Sequence, residues 1–468
     1  MLVLARSTAP DDLQAARSRR QRRRTWAART LHALFWASVA MPFVLFCVFY
    51  DGLSRIADLG TALTAAASVA GLVGTDLVLV MLLLAARGPL VDRVIGHDTA
   101  MTYHRRLGKP ALYLLLGHGA LYTLGRAAPD GFHLVSATRG LVGEENVPLA
   151  YLALVLLVVV VLCSVVASVH RARYEVWYAI HLVSYLAILF ALPHQSVPGG
   201  VLAGDSLRWV YWLGLYAVAF GALLVYRLVV PVVHTVRRGI RVDAVEQVAP
   251  DVVSIHLRGR RLDRLGVTGG QYAVWRFWSR STWWHAHPFS FSAVPTATGA
   301  RLTVRTLGAG SAAVSRVRPG TRVWTSGPLG IFTDAARTSP RLAVVAAGVG
   351  ITPARALLEG TPFRPGEATV VLRGDDEGQH FLWDEVTALA EASGGVVHTV
   401  TGPRPAGIAT WLSAEAVESG ATITTLLPDL LDSDLYVCGP PPWTDAVVRD
   451  ARAAGLPDSQ LHVERFDW

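Results

Sequence analysis

The chain has 468 residues, 52% of them apolar and only 17% charged, where a soluble globular domain carries roughly a quarter charged residues; such a surplus of apolar surface demands lipid. Its three cysteines, Cys47, Cys163 and Cys438, with the first two inside long apolar runs, exclude a secreted disulfide scaffold and a cysteine-held iron–sulfur cluster. The net charge of +8 lies largely in short arginine runs beside apolar segments, a pattern of membrane topology and not of a nucleic-acid-binding face.

The first such run, RSRRQRRR at 17–24, precedes an apolar stretch too long for a cleaved signal sequence, so a basic cytoplasmic segment over 1–29 and a retained first helix are expected. A helix crosses a bilayer core in about 20 residues. Six stretches qualify, at 30–50, 60–86, 104–125, 149–170, 175–195 and 207–234. With the basic start placed inside, the second, fourth and sixth crossings end beside Arg87 and Arg93, Arg171 and Arg173, and Arg237 and Arg238. The opposite loops offer Asp130, Glu144, Glu145 and Asp205, so the positive-inside rule holds throughout. Beyond residue 240, short alternating runs such as VVSIHL and RLTVRTL are divided by glycine and proline, which is the punctuation of strands. After GPLGIF at 327–332 the pattern alternates strand and helix, as in an α/β domain on a parallel sheet.

Ionisable residues inside crossing helices are costly and mark function. The third stretch holds His104 and His118, and the fifth holds His181 and His194. Fourteen residues advance a helix about 21 Å and nearly four turns, so His104 and His118 point the same way from opposite leaflets. Both helices run outward, which puts His104 level with His181 and His118 level with His194. Two facing pairs suit two haems, each iron held by one imidazole from each helix; helix-packing histidines are the competing reading for any one of them. The step of 13 from His181 to His194 is not a whole number of turns, and Pro193 is the expected source of a distortion.

These features together resemble the ferric reductase and NADPH oxidase superfamily, in which a haem-bearing transmembrane domain is fused to a ferredoxin–NADP reductase-like module. The resemblance covers about 30–468 and rests on the paired histidines, on HPFSFS at 287–292, on LGAGSAAVSR at 307–316, on VVAAGVGITPARALL at 344–358, on LYVCGPPPW at 435–443 and on the terminal HVERFDW. It implies a six-helix transmembrane di-haem bundle over 30–236, a β-barrel FAD-binding domain over 237–336 and an α/β NADPH-binding domain over 337–468. It further implies that His287, Pro288, Phe289 and Ser290 contact FAD, with the Ser290 hydroxyl at the flavin N5 edge. Gly308, Gly310 and Ser311 would approach the FAD pyrophosphate, and Gly348, Gly350, Thr352 and Pro353 the NADPH pyrophosphate. Cys438, Gly439 and Pro440 would face the nicotinamide, with Cys438 near its hydride-carrying carbon. Phe466 fits the position of a ring stacked on the flavin, with Trp468 as the alternative. Arg373, and after it Arg404, stand where the family reads the adenosine ribose, and arginine suits a 2′-phosphate, favouring NADPH over NADH. GPLG at 327–330 departs from the family's Gly-Pro-aromatic-Gly.

The activity implied is electron transfer from cytoplasmic NADPH through FAD and two b-type haems to an acceptor outside the cell membrane. That acceptor is expected to be a ferric or cupric complex, with O2 reduction to superoxide as the alternative.

Overall fold

The computed structural model describes residues 10–170, 174–196, 201–202, 206–280 and 282–466. The chain divides into two compact units, a helical one formed by Ala28–Val91 and His97–Arg227, and a second comprising the residues up to Ala27, Asp92–Gly96 and everything from Leu228 onward.

The long helices are α1 (Pro10–Val44), α2 (Leu59–Ala85), α3 (His97–Ala127), α4 (Val147–His170), α5 (Tyr174–Phe190), α6 (Ser206–Leu223) and α7 (Val230–Arg238). Their leucine-, valine- and alanine-rich runs expose apolar side chains in every direction, including Leu162, Val155, Leu186 and Val210. Only lipid tolerates such a surface, and a helix satisfies its backbone there internally. Asp58 caps α2 through a reciprocal pair of bonds with Thr61, 2.8 Å from the Thr61 N–H and 2.9 Å from the Asp58 N–H to Thr61 Oγ1. Between α6 and α7 the chain stays helical through one wider segment, Leu224–Val229.

Among the described residues, five helices are long and apolar enough to cross a membrane: Ala15–Phe49, Leu59–Ala85, Val147–Ala167, Val176–Ser196 and Leu207–Arg238. The expectation of six is therefore met by five. Helix α3 falls short because it also carries Arg105, Arg106, Lys109 and Arg126 along with its histidines. Even so, α3 packs along α2 through small residues. The Gly125 carbonyl lies 3.0 Å from where a Cβ of Gly60 would stand, and a Cβ at Gly71 would meet the His118 ring at 2.6 Å.

In the second unit, β1 (Arg241–Ala249), β2 (Val252–Arg258) and β5 (Gly299–Arg305) form one antiparallel sheet. A second comprises β3 (Tyr272–Phe277), β4 (His287–Ser290) and β6 (Val323–Leu329). They enclose Ile255, Leu257, Trp275, Phe277, Phe291 and Leu302, all essentially inaccessible. The expected barrel is not a closed ladder among the described residues, since only the isolated bridges Arg241↔Arg322 and Phe291↔Leu302 join the two sheets. Strand β4 is four residues long and contains Pro288, which has no N–H for a ladder.

A short helix, α8 (Ala309–Val314), follows β5. The remainder is a five-stranded parallel sheet in the order β11-β10-β7-β8-β9, built from β7 (Arg341–Ala347), β8 (Ala368–Gly374), β9 (Val396–Thr401), β10 (Ser433–Gly439) and β11 (Leu461–Arg465). It is flanked by α9 (Ile351–Gly360), α10 (Trp383–Glu391) and α11 (Pro441–Ala453). Strand β10 is buried at every position, as continuous apolar runs in a parallel sheet require. After β7 the chain passes to β8 on one side while β10 flanks β7 on the other. The ends of β7 and β10 therefore form the crevice at which open α/β sheets bind ligands.

Candidate redox site

In the helical unit the four histidines come together as two pairs. The ring centroids of His104 and His181 are 6.0 Å apart, and those of His118 and His194 are 6.2 Å apart. Two imidazoles on opposite sides of one metal ion, each bound at about 2 Å with a ring radius near 1.2 Å, place their centroids at about 6.3 Å. The spacing of both pairs fits one ion each.

Helix α2 fixes the chemical form of two of these rings. His104 Nδ1 lies 3.1 Å from the Met81 carbonyl and His118 Nδ1 lies 2.8 Å from the Ala67 carbonyl. A carbonyl can only accept, so Nδ1 carries the proton and Nε2 is left with the lone pair that ligates a metal. Equal 14-residue steps on two antiparallel helices, Ala67 to Met81 and His104 to His118, hold both bonds in register. His181 sits 3.4 Å from Ser164 Oγ, which also accepts from Trp177 Nε1. His194 lies within the span Val176–Ser196 but beyond the α-helical part that carries His181. Helix α5 ends at Phe190 and His194 lies on the 3-10 turn Pro193–Ser196, which removes the misfit of a 13-residue step. Gln195 on that turn accepts from Trp212 Nε1 and donates to Tyr216 Oη at 3.0 Å, a positioning role that sequence reasoning missed. A donor set of two neutral imidazoles suits an ion whose remaining ligands come from a macrocycle; among the described residues no three His, Cys, Asp or Glu side chains cluster as a metal site.

In the second unit, β4 presents HPFS, the segment expected to meet FAD. Ser290 is buried, its Oγ lacks a protein hydrogen bond, and it pairs in register with Tyr272. His287 Nε2 is likewise buried and unsatisfied, and its ring stacks on Phe289 with centroids 5.5 Å apart. Burial, then the nearby His285 and Arg276 charges, lowers the His287 pKa to about 4, so the ring is neutral at pH 7. Gly310 leaves room for that ring, since a Cβ there would lie 3.0 Å from His287 Cε1. Two sequence-distant motifs, HPFS and LGAG, thereby meet. Such orphaned polar atoms beside a glycine cleft fit a flavin. Ser311, in contrast, does not open its helix. Gly308 is the cap, and Ser311 Oγ accepts from the Leu307 and Gly308 N–H groups at 2.9 and 3.1 Å.

The nicotinamide motifs converge on the crevice of the parallel sheet. Gly348 has φ +51°, a conformation side chains resist. At Gly350 any Cβ would overlap the backbone of Cys438 and Gly439, so this glycine serves close packing of the helix start on β10. Thr352 is buried and its hydroxyl donates to the Val349 carbonyl at 2.9 Å, and Pro353 is also buried; both face the core. Cys438 is fully buried at the end of β10, and burial, with Glu464 adding to it, pushes its thiol pKa well up. Gly439 abuts Trp443, and Pro440 caps α11. Phe466 packs on the core cluster that contains Cys438. Trp468, Arg171 and Arg173 lie outside the described residues.

Arg373 is 2% exposed and already engaged. It donates to the carbonyls of Trp411 at 3.3 Å and Gly402 at 2.6 Å and to Asp375 at 2.8 Å, leaving Nη1 buried without a bond. Arg404 is exposed and near enough for its charge to depress the Arg373 pKa, behind burial as the main cause.

Two residues not singled out from the sequence link the motifs. The Tyr272 ring and the Glu464 carboxylate flank Gly330, at 3.2 and 3.9 Å from where its Cβ would be, and Glu464 pairs in register with Cys438. A line Ser290, Tyr272, Glu464, Cys438 thus runs from the flavin motif to the nicotinamide motif. The glutamate of HVERF was the available signal.

Comparison with known proteins decides the affiliation. The chain is 31% identical over 169 residues to ferredoxin–NADP reductase B of Sorangium cellulosum, a match covering 34% of this chain and 68% of that one. The chain belongs to the ferredoxin–NADP reductase family. Residues 70–192 match the family described as ferric reductase like transmembrane component, so this member joins a reductase module to a ferric reductase-like membrane segment. It is also 32% identical over 166 residues to the ferredoxin–NAD(+) reductase component of the alkene monooxygenase system of Xanthobacter autotrophicus, covering 34% of this chain and 49% of that protein. The chain thus spans about half the length of that relative. The flavohem-like FAD/NAD binding domain of nitric oxide dioxygenase from Vibrio cholerae aligns at 20% identity with a TM-score of 0.40, covering 48% of this chain and 98% of that structure.

Proposed function

We propose that this ferredoxin–NADP reductase family member is an NADPH-dependent oxidoreductase of the cell membrane that moves electrons from cytoplasmic NADPH to an acceptor outside, a ferric or cupric complex. The two histidine pairs carry the reading, because their 6.0 and 6.2 Å centroid spacings each suit one iron and they stand in one unit with a reductase module in the same chain. HPFS would hold FAD, which would supply hydride acceptance and release of single electrons, and the histidine pairs would hold iron, which would supply one-electron relay.

His104 and His181 would hold the inner haem, His118 and His194 the outer one, with α2 setting the tautomers of His104 and His118. Ser290 offers a hydroxyl with no protein partner to the flavin N5 edge. Neutral His287 and small Gly310 make space for the ribityl and phosphate part without adding charge. Phe466 covers the nicotinamide entrance over Cys438, a place for which Trp468 competes. Arg404 meets the 2′-phosphate, with Arg373 behind it organising the loop. Helix α3 acts as the sixth crossing, with Arg105, Arg106 and Lys109 towards one end, Arg126 at the other and 110–125 between them mainly apolar. The domains are 30–236, 237–336 and 337–468, with the two antiparallel sheets acting as the FAD-binding barrel.

Pyridine haemochrome assay on the purified membrane protein is expected to give two b-type haems per chain. His118→Ala should remove one and leave FAD reduction by NADPH intact; retention of both haems in His118→Ala and in His194→Ala would sink the assignment.

A further inference from the structure

The connection between β3 and β4 displays three large rings to the outside, with Trp278 53%, Trp283 57% and Trp284 45% exposed. Indoles are seldom left so open, and a cluster of them marks an interaction surface. The connection is braced from within. Thr282 is fully buried, donates through Oγ1 to the Phe277 carbonyl at 2.7 Å and shares a 2.7 Å bond with Ser279 Oγ. The Trp283 and His285 N–H groups bond back to Ser279 and Thr282 at 3.1 and 3.2 Å, and Trp278 stacks on Trp324 of β6 with centroids 6.3 Å apart and planes within 14°. The fold therefore holds these rings outward.

Their surroundings are cationic. Arg280 and Arg322 are exposed beside the rings and Arg276 is half-buried, while no aspartate or glutamate occurs between Gln271 and Ser292 or between Arg316 and Thr333. Tryptophan next to arginine without carboxylates suits the boundary of a bilayer, where indole lies at headgroup level and guanidinium meets phosphate. The last apolar helix of the chain ends at Arg238 and the connection begins 40 residues later. Such a tether makes docking on the same bilayer intramolecular and keeps the local lipid concentration high.

We infer that Trp278, Trp283 and Trp284, with the described residues beside them at 279–280 and 282, form a lipid-docking element that seats the reductase unit on anionic headgroups of the membrane in which the chain is anchored. The inference rests on membrane anchoring and not on the haem assignment, so haem stoichiometry leaves it unaffected.

The test uses the full chain in nanodiscs, with Cys47→Ser and Cys163→Ser to leave only buried Cys438, and a nitroxide on Trp283→Cys; a second label on exposed Thr298→Cys serves as control. Power-saturation spectroscopy compares access of lipid-soluble oxygen with that of a water-soluble nickel chelate. In discs of mixed phosphatidylcholine and phosphatidylglycerol, the oxygen-to-nickel ratio at position 283 should exceed that at 298 several-fold. It should fall toward the control in pure phosphatidylcholine, at high salt, or with Arg280→Glu and Arg322→Glu combined. Unchanged flavin content establishes that each variant is folded. A label at 283 as open to nickel as the control would overturn the inference by placing the connection in water. A label sealed from both reagents would overturn it in favour of a protein surface.

Discussion

At Arg373 the guanidinium holds loops together through the Trp411 and Gly402 carbonyls; removing it takes the side-chain donor from the Gly402 carbonyl, while the Trp411 carbonyl keeps Trp443 Nε1 at 2.9 Å. Arg373→Ala should cost about 2–3 kcal/mol, seen as a lower melting temperature, and raise KM for NADPH and NADH alike. Arg404→Ala should instead raise KM for NADPH alone, by the roughly ten- to hundredfold that a charged hydrogen bond of about 1.5–3 kcal/mol supplies; equal effects on both nucleotides would refute the role. His287 gives a pH test. Its folded pKa of about 4 lies below the ordinary 6.5, so the unfolded chain binds the proton first and stability falls as pH drops from about 6.5 toward 4. In His287→Gln the melting temperature, followed across that window, should decline less steeply. The sequence marked Arg373, Thr352 and Gly350 by their motifs, but residue type is silent on which way a side chain turns. Only packing shows that Thr352 bonds inward to Val349 and that Gly350 makes way for Cys438.

Helix α2 carries no histidine, yet it sets the geometry of two. Gly71→Ala would drive a methyl into the His118 ring, and overpacking of this kind costs about 1–3 kcal/mol. The expected outcome is selective loss of the haem held by His118, read as a halved haem-to-protein ratio with NADPH-dependent flavin reduction retained. In the second unit, Arg301 on β5 grips Glu385 at the N-terminal turn of α10 with two 2.8 Å bonds, and Arg355 of α9 adds a third at 2.6 Å. These bonds, with Arg301 foremost, hold the Glu385 pKa below its ordinary 4.5. The stabilisation is complete above that pH and is lost as pH falls below it. Because Glu385 is partly exposed, a double-mutant cycle of Arg301→Ala and Glu385→Ala should return a coupling of only about 1 kcal/mol. The apolar runs made five crossing helices legible, and the step of 13 correctly flagged trouble at Pro193. What the runs could not convey was that the α-helix stops at Phe190 and that a 3-10 turn delivers His194. The clamp, too, joins Glu385 to residues 84 and 30 positions away, beyond the reach of any periodicity.

Across the whole molecule, the parallel sheet was legible because RLAVVAA, ATVVLRG and SDLYVCG read as buried on both faces. Closure of the antiparallel strands was not, since it depends on pairing between strands and not on pattern within them. Under the proposed function, the choice of acceptor would depend on the field of the loops expected on the far side. Glu144 is paired with Arg126 at 3.0 Å, which offsets part of the negative charge expected there, so Glu145 is the better probe. Glu145→Gln should slow reduction of cationic Fe(III) and Cu(II) at low salt and leave oxygen consumption unchanged; superoxide formation dominating in the unaltered protein would defeat the metal reading. Finally, Cys438 is fully buried at the end of β10, where Gly350 at the start of α9 packs on its backbone, with a thiol that burial keeps protonated, and an alkylating reagent can reach it only when this packing opens. Its rate of modification is thus a native clock for opening of the crevice, countable by mass spectrometry without any introduced probe, and saturating nucleotide should slow it by the fraction of time the crevice is held shut.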